Sequence, residues 1–539
     1  MEERLGDASP LPVDIVGSST FGISTKISAQ KTYNMYETDG WMASYIGFLS
    51  IYGGFINGNI RRIFSSVVSN LLVIVSGDTV YSVQVIVDYN SFPTTYQPIV
   101  GIIGTLNTVS TPVYMAEDVS GNILISDTIN LNVYSPQGPN IFYPVSLAAA
   151  QVTPGYVWFH DNRFIMTCSA VTSGSQSQNF NVTPFWILSE YTVEPQPLVS
   201  FPGGTQFTGI MSSKAGFSVG GSYVPSKGNL ILVMGQNVTE AWFDVGAQLF
   251  PYQKSTAFNI DYGCTNPDTI ARLDQYVVWL GTNEQTSAML FMSDGGVPKP
   301  IVTDGIDRLL STLQFPNQAE AYIFRRNNRI FYHINFTGDN FSLFYDIQKD
   351  KIYHASDKDF NCFPLSQVVM LNNEYYAIST STNLLYVVPS DVYTQDGFEA
   401  PYVRVGKTQL LEDQSVFIAN DIGFTIREGD TIPQYRAGLP YYLVTQDQKF
   451  LITSDTQYNL VTSQNDNSDV YYPRVDFCFS IDGGYTYSQI VGYDLNALGM
   501  RQNMLRWWGM GRCNSFTPQF RFYGVNGFVC TDGILNIRQ

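Results

Sequence analysis

The stretch Leu71 to Val83, LLVIVSGDTVYSV, sets two β-branched apolar runs on either side of Gly77-Asp78. β-Branched residues suit strands, and a Gly-Asp pair suits the tight turn between antiparallel neighbours. Related units return along the chain: GNILISDTINLNVYSP from Gly121, YVWFHDNRFIMTCS from Tyr156, GNLILVMGQNVTEAWF from Gly228, YVVWLGTNEQTSAMLFMSDGG from Tyr276, RNNRIFYHINF from Arg326 and LNNEYYAISTSTNLLYVVPSDVY from Leu371. A divergent antiparallel unit recurring at roughly forty to fifty residues is the period of a propeller blade. Helical periodicity is scarce, NPDTIARLD being at most a turn or two. The pattern therefore predicts an all-β fold: a β-propeller of about six to seven blades over residues 31–400, preceded by a polar arm (1–30) and followed by a C-terminal β domain (401–539). Within that last region LVT, LIT and LVT recur between Tyr441 and Thr462, which reads as an inserted meander.

Composition narrows the function classes. Of 539 residues, 14% are aromatic and only 14% charged, a balance that favours strands over exposed helices. The formal net charge of −17 opposes any general grip on nucleic acid or anionic membranes. The acidic start, MEERLGDASP, and the lack of a long apolar run predict neither a signal peptide nor a membrane-spanning segment. Six scattered cysteines without a C-x-x-C pair read as reduced, buried residues. His160, His333 and His354 have no ligand spacing around them, so no metal is expected. No phosphate-binding loop is present, so no cofactor is expected either.

Two motifs carry competing readings. FSIDGGYTYS, from Phe479 to Ser488, is similar to the Asp-box of sialidase propellers. Its Asp482, Gly483, Gly484 and Thr486 form a structural turn, because glycine tolerates positive φ and a carboxylate can accept the hydrogen bonds that close a loop. Such a turn does no chemistry. A sialidase further needs an arginine cluster, a tyrosine nucleophile paired with a glutamate, and an acid/base aspartate. Nothing in the sequence groups these residues, so no catalytic residue and no enzyme activity is expected. RWWGMGR, from Arg506 to Arg512, could stack on bases. The preferred reading is that one tryptophan is buried in the C-terminal sheet while the other lies at an edge or subunit contact, with Trp507, Trp508 and Arg512 as the candidate interface residues, since Trp and Arg are enriched at interfaces.

Taken in order, the blocks resemble the packaged-DNA stabilisation proteins that form the tail hub of short-tailed bacteriophages. The centre carries most of the likeness: Thr239, Glu240 and Trp242, then Gly246, Phe250-Pro251, Gly263-Cys264 and Trp279-Leu280-Gly281. YNMYETDG from Tyr33, the RRIFSS hairpin, SIDGGYTYS and LGMRQNMLRWWGMGR follow the same order. Tyr487 stands where a Trp is common and Gly509 where a basic residue is expected, while the 441–462 repeat is additional. The resemblance implies a non-enzymatic protein of the virion tail, assembled in the host cytoplasm. It implies a ring of six copies below the head-to-tail adaptor of the portal. That ring would close the channel over packaged double-stranded DNA, serve as its ejection conduit, and anchor a tail needle or plug and tailspike or fibre proteins. The alternatives are a carbohydrate-binding or sialidase-like propeller and another propeller-based nozzle or fibre-attachment protein.

Overall fold

The computed structural model describes residues 9–538 except 22–29, 56–57, 92–93, 137–140, 149, 171–184, 191–198, 203–204, 215, 248–249, 256–258, 286, 429–473, 496–501 and 525–526. The chain divides into two compact units, one of Thr20–Gly22 and Ser50–Pro389, the other of Met1–Ser19, Ile23–Leu49 and Ser390–Gln539.

The first unit is a propeller of seven four-stranded antiparallel blades. Blade 1 runs through Ile60–Ser66, Leu71–Ser76, Thr79–Asp88 and Thr95–Thr105. The innermost strands of blades 2 to 7 are Tyr114–Glu117, Val152–His160, Ser218–Val224, Ala271–Leu273, Ala319–Arg326 and Gln367–Leu371. Blade 6 continues outward through Arg329–Phe336, Phe341–Asp346 and Lys351–Ala355. Neighbouring innermost strands pack side by side, and that of blade 7 returns to that of blade 1, so the ring is closed. Blade 7 supplies only three strands from its own stretch of chain. Its fourth is Leu49–Tyr52, the strand that precedes blade 1.

A blade lies between two others, so both of its faces are buried. This explains why the strands read as unbroken apolar runs rather than alternating ones. Parity decides which neighbour a residue meets. In blade 4, Ile231 and Val233 pack with Trp158, Ile165 and Trp186 of blade 3. The intervening Leu230, Leu232 and Met234 pack with Val277, Trp279 and Phe291 of blade 5. Several polar side chains at these interfaces are hydrogen-bonded from blade to blade, which offsets the cost of burying them. His160 Nδ1 lies 2.8 Å from the Tyr252 hydroxyl. Asn266 Nδ2 donates to the Ala319 carbonyl at 2.9 Å, and Asn335 Nδ2 to that of Leu365 at 2.7 Å.

The second unit is a sandwich of two antiparallel sheets. One is ordered Ser9–Val13, Gly533–Arg538, Phe417–Glu428, Phe528–Cys530, Trp41–Ser44 and Met35–Thr38, with Gln502–Cys513 also paired to Phe417–Glu428. The other contains Lys31–Tyr33, Tyr402–Val405, Thr517–Tyr523, Arg474–Ser480 and Val491–Asp494 in that order. Phe424, Phe477, Trp507, Phe520, Phe522 and Leu535 fill the space between them.

These boundaries differ from those expected. Residues 9–19, read as a free arm, supply an edge strand and a loop of the sandwich, and residues 31–49 and 390–400 also belong there. The reason is a fully buried arginine on a sandwich strand: Arg404 donates to the carbonyls of Asp14, Ile15 and Ser18 and to the Gln30 side chain. The 441–462 repeat lies outside the described residues.

Candidate functional site at the propeller axis

Inner strands present every second side chain to the axis, so seven blades can bring together residues far apart in sequence. Here they gather two arginines, two carboxylates and three tyrosines. Arg62 of blade 1 donates through Nη1 to Asp268 Oδ1 at 2.7 Å. Asp268 stands just before the innermost strand of blade 5, so this ion pair crosses the axis between blades that are not neighbours. The Arg62 guanidinium also lies 5.6 Å from the ring centre of Tyr114 in blade 2. Tyr114 in turn meets Tyr156 of blade 3 edge to face, with ring centres 5.1 Å apart. Arg272, on the innermost strand of blade 5, lies over the Tyr223 ring of blade 4 at 3.7 Å. Glu320 of blade 6 completes the set, its Oε2 accepting from Thr380 of blade 7 at 3.5 Å.

The electrostatics follow from this crowding. Asp268 is about one-fifth exposed, yet desolvation by the surrounding blades raises its pKa against the opposing pull of Arg62. Desolvation, with the Asp268 charge adding to it, pushes Glu320 up to about 7. Burial raises the Tyr114 phenol well above its ordinary range and raises that of Tyr156 as well. Arg272 is exposed to the axial space, and the protein around that space still lowers its pKa by desolvation. At neutral pH the Tyr114 and Tyr156 phenols are therefore protonated and can donate hydrogen bonds.

Sequence reasoning missed this site. Its residues fall on six blades between positions 62 and 320, and no local motif announces them. The expectation that arginines and carboxylates are ungrouped is therefore corrected: the ring closure groups them.

The residues singled out in the sequence lie in the sandwich. Asp482 accepts from the Ser480 hydroxyl at 2.6 Å, the Thr486 hydroxyl at 2.6 Å, and the backbone N–H groups of Tyr485 and Thr486. Those bonds hold its carboxyl far below the usual range. Gly483 and Gly484 take φ of 77° and 95°, which L side chains rarely adopt. Trp507 is buried and donates from Nε1 to the Val491 carbonyl at 3.1 Å. Trp508 points the other way and is 65% exposed. Arg506 lies over its ring at 4.4 Å while bonding Asp421 at 2.6 Å. Arg512 is exposed on the same strand. The structure does not bring these residues to the propeller axis. Among the described residues no group of three His, Cys, Asp or Glu could hold a metal ion, and no helix is long and apolar enough to cross a membrane.

The fold defines a seven-bladed β-propeller protein carrying a β-sandwich. Residues 224–352, which span blades 4 to 6, match the Phage_stabilise family model, described as Bacteriophage P22 Gp10, beta-propeller. The likeness to phage packaged-DNA stabilisation proteins is borne out over that segment, which contains Thr239, Glu240, Trp242 and Trp279. Similar solved structures include the WD40 beta propeller domain of Doa1, at 11% identity and a TM-score of 0.38, covering 64% of this chain and 97% of that one. A streptogramin B lyase structure, at 10% identity and a TM-score of 0.36, covers 65% of this chain and 99% of that one. No curated protein matches the chain.

Proposed function

We propose that this protein is a non-enzymatic tail-hub component of a short-tailed phage virion. Several copies, six by family resemblance, form a ring below the head-to-tail adaptor, retain packaged DNA, and offer attachment surfaces for needle and tailspike or fibre proteins. The observation that carries this reading is the match of residues 224–352 to the phage stabilisation family.

Two physical features support it. The Arg62–Asp268 pair spans the propeller's own axis, so a duplex does not thread a single subunit, and the conduit is the space enclosed by the ring of copies. A net charge of −17 is compatible with a non-adhesive conduit, since a basic lining would bind phosphate at every step. The sandwich strand bearing Trp508 and Arg512 is the surface through which we place a neighbouring copy. Binding the purified chain to adaptor-bearing heads and counting copies by mass tests the ring: about six copies per particle are expected, and single or scattered copies contradict it.

The axial cluster favours a second reading, a carbohydrate-binding propeller, because arginines and carboxylates converge there. Arg62 is already paired with Asp268, however, and the phenols are neutral, so this cluster lacks the arginine set and activated nucleophile of a sialidase.

A further inference from the structure

We propose that the propeller axis carries an oxyanion-binding site, centred on Arg272, that accepts a carboxylate or phosphate group of a small ligand. Three donor groups on neighbouring innermost strands have no hydrogen-bonded protein acceptor among the described residues: the Arg272 guanidinium and the hydroxyls of Tyr156 and Tyr223. Arg272 lies over the Tyr223 ring at 3.7 Å. Tyr156 lies on the innermost strand of blade 3 with its ring centre 5.1 Å from that of Tyr114, where Arg272, Arg62 and the Asp268 carboxylate all act on its hydroxyl. Arg62 is neutralised by Asp268 at 2.7 Å, whereas Arg272 has no carboxylate partner. Its charge is answered only by the face of a ring.

Solvent reaches all three groups: Arg272 is exposed, and Tyr156 and Tyr223 are half-buried. The space they face is nevertheless enclosed by seven blades. A guanidinium in such a place presents a planar fork of N–H donors, and two phenols beside it can donate to the same oxygen atoms. Low local dielectric strengthens each of these bonds relative to water. The unpaired Arg272 charge repels a cation, and a purely apolar ligand would leave the guanidinium desolvated and unpaired. An oxyanion satisfies the set. The site is separate from the sandwich strand assigned to assembly and does not depend on the virion reading.

Such a group could come from an acidic saccharide or from free phosphate. Calorimetric titration of the full chain with glucuronate and, separately, with inorganic phosphate distinguishes them. The site predicts saturable binding of at least one of the two, in the millimolar range or tighter. Binding by glucuronate alone assigns an acidic sugar, by phosphate alone a phosphate, and by both a general oxyanion site. Arg272→Gln should weaken it by about tenfold or more and Arg272→Lys by less, because lysine keeps the charge and loses the fork. Thermal unfolding should be unchanged in both. Tyr156→Phe, which keeps the ring and removes one donor, should weaken binding by about three- to tenfold, and it serves should the Arg272 variants fold poorly. No saturable binding of either probe, or binding unaltered by Arg272→Gln and Tyr156→Phe, overturns the proposal.

Discussion

Arg62 and Asp268 form an ion pair at 2.7 Å across the axis of the propeller, joining blade 1 to blade 5. Neighbouring blades are held by apolar packing, but this contact ties non-neighbours and acts as a cross-brace. Each partner is about one-fifth exposed, so the pair falls between the small worth of a surface bridge and the large cost of breaking a buried one. Arg62→Ala should destabilise the protein by about 1 to 3 kcal/mol in chemical denaturation. A double-mutant cycle with Asp268→Asn should return a clear coupling energy. Additivity of the two substitutions would show that the brace carries no energy.

Trp242 and Trp279 are both buried, at 8% and 0% exposure, and either one changed to Ala should cost about 3 to 5 kcal/mol. Phenylalanine separates them. Trp279 Nε1 donates to the Gly263 carbonyl at 3.2 Å, whereas Trp242 Nε1 has no partner among the described residues. Trp279→Phe should therefore cost about 1 kcal/mol more than Trp242→Phe in urea unfolding, the usual worth of a hydrogen bond.

His333 is fully buried in blade 6, stacked on Tyr322 at 4.6 Å and flanked by Phe344 and Phe363. Desolvation lowers its pKa to about 3, against the pull of its hydrogen bond to Asn335. The unfolded chain binds a proton at about 6.5, so between the two values the unfolded state holds more protons than the folded one. This contribution to stability is complete above about pH 6.5 and is lost as pH falls toward 3. His333→Gln should flatten the pH dependence of the unfolding midpoint in that window.

On the strand Gln502–Cys513, alternation gives two adjacent tryptophans opposite roles. Trp507→Ala should cost about 3 to 5 kcal/mol of stability. Trp508→Ala should stay within about 0.5 kcal/mol of the parent chain and lower the number of copies retained on adaptor-bearing heads. Unchanged retention would remove Trp508 from the assembly surface.

Much of the fold is legible in the sequence because blade strands are buried on both faces. Runs such as 71–75 (LLVIV) and 230–234 (LILVM) are apolar throughout, and the hairpin turns beside such runs are marked by Gly, Asp and Asn. The division between Trp507 and Trp508 is also legible, since strand alternation places consecutive residues on opposite faces. The seventh blade was not fixed, because its outer strand, Leu49–Tyr52, comes from before blade 1 and carries no sign of where it closes. The sandwich boundary was hidden for a similar reason: residues 9–19 are fastened by Arg404, nearly four hundred positions away. The axial cluster is the extreme case, for Arg62 and Asp268 meet only after the whole ring has closed.

Retention of packaged DNA is tested most directly by nuclease sensitivity. Filled, adaptor-bearing heads that lack this protein should leak, so that added nuclease degrades their DNA. Addition of the purified chain should render that DNA resistant in proportion to the copies bound. DNA that remains fully nuclease-sensitive although the protein is bound would contradict the account.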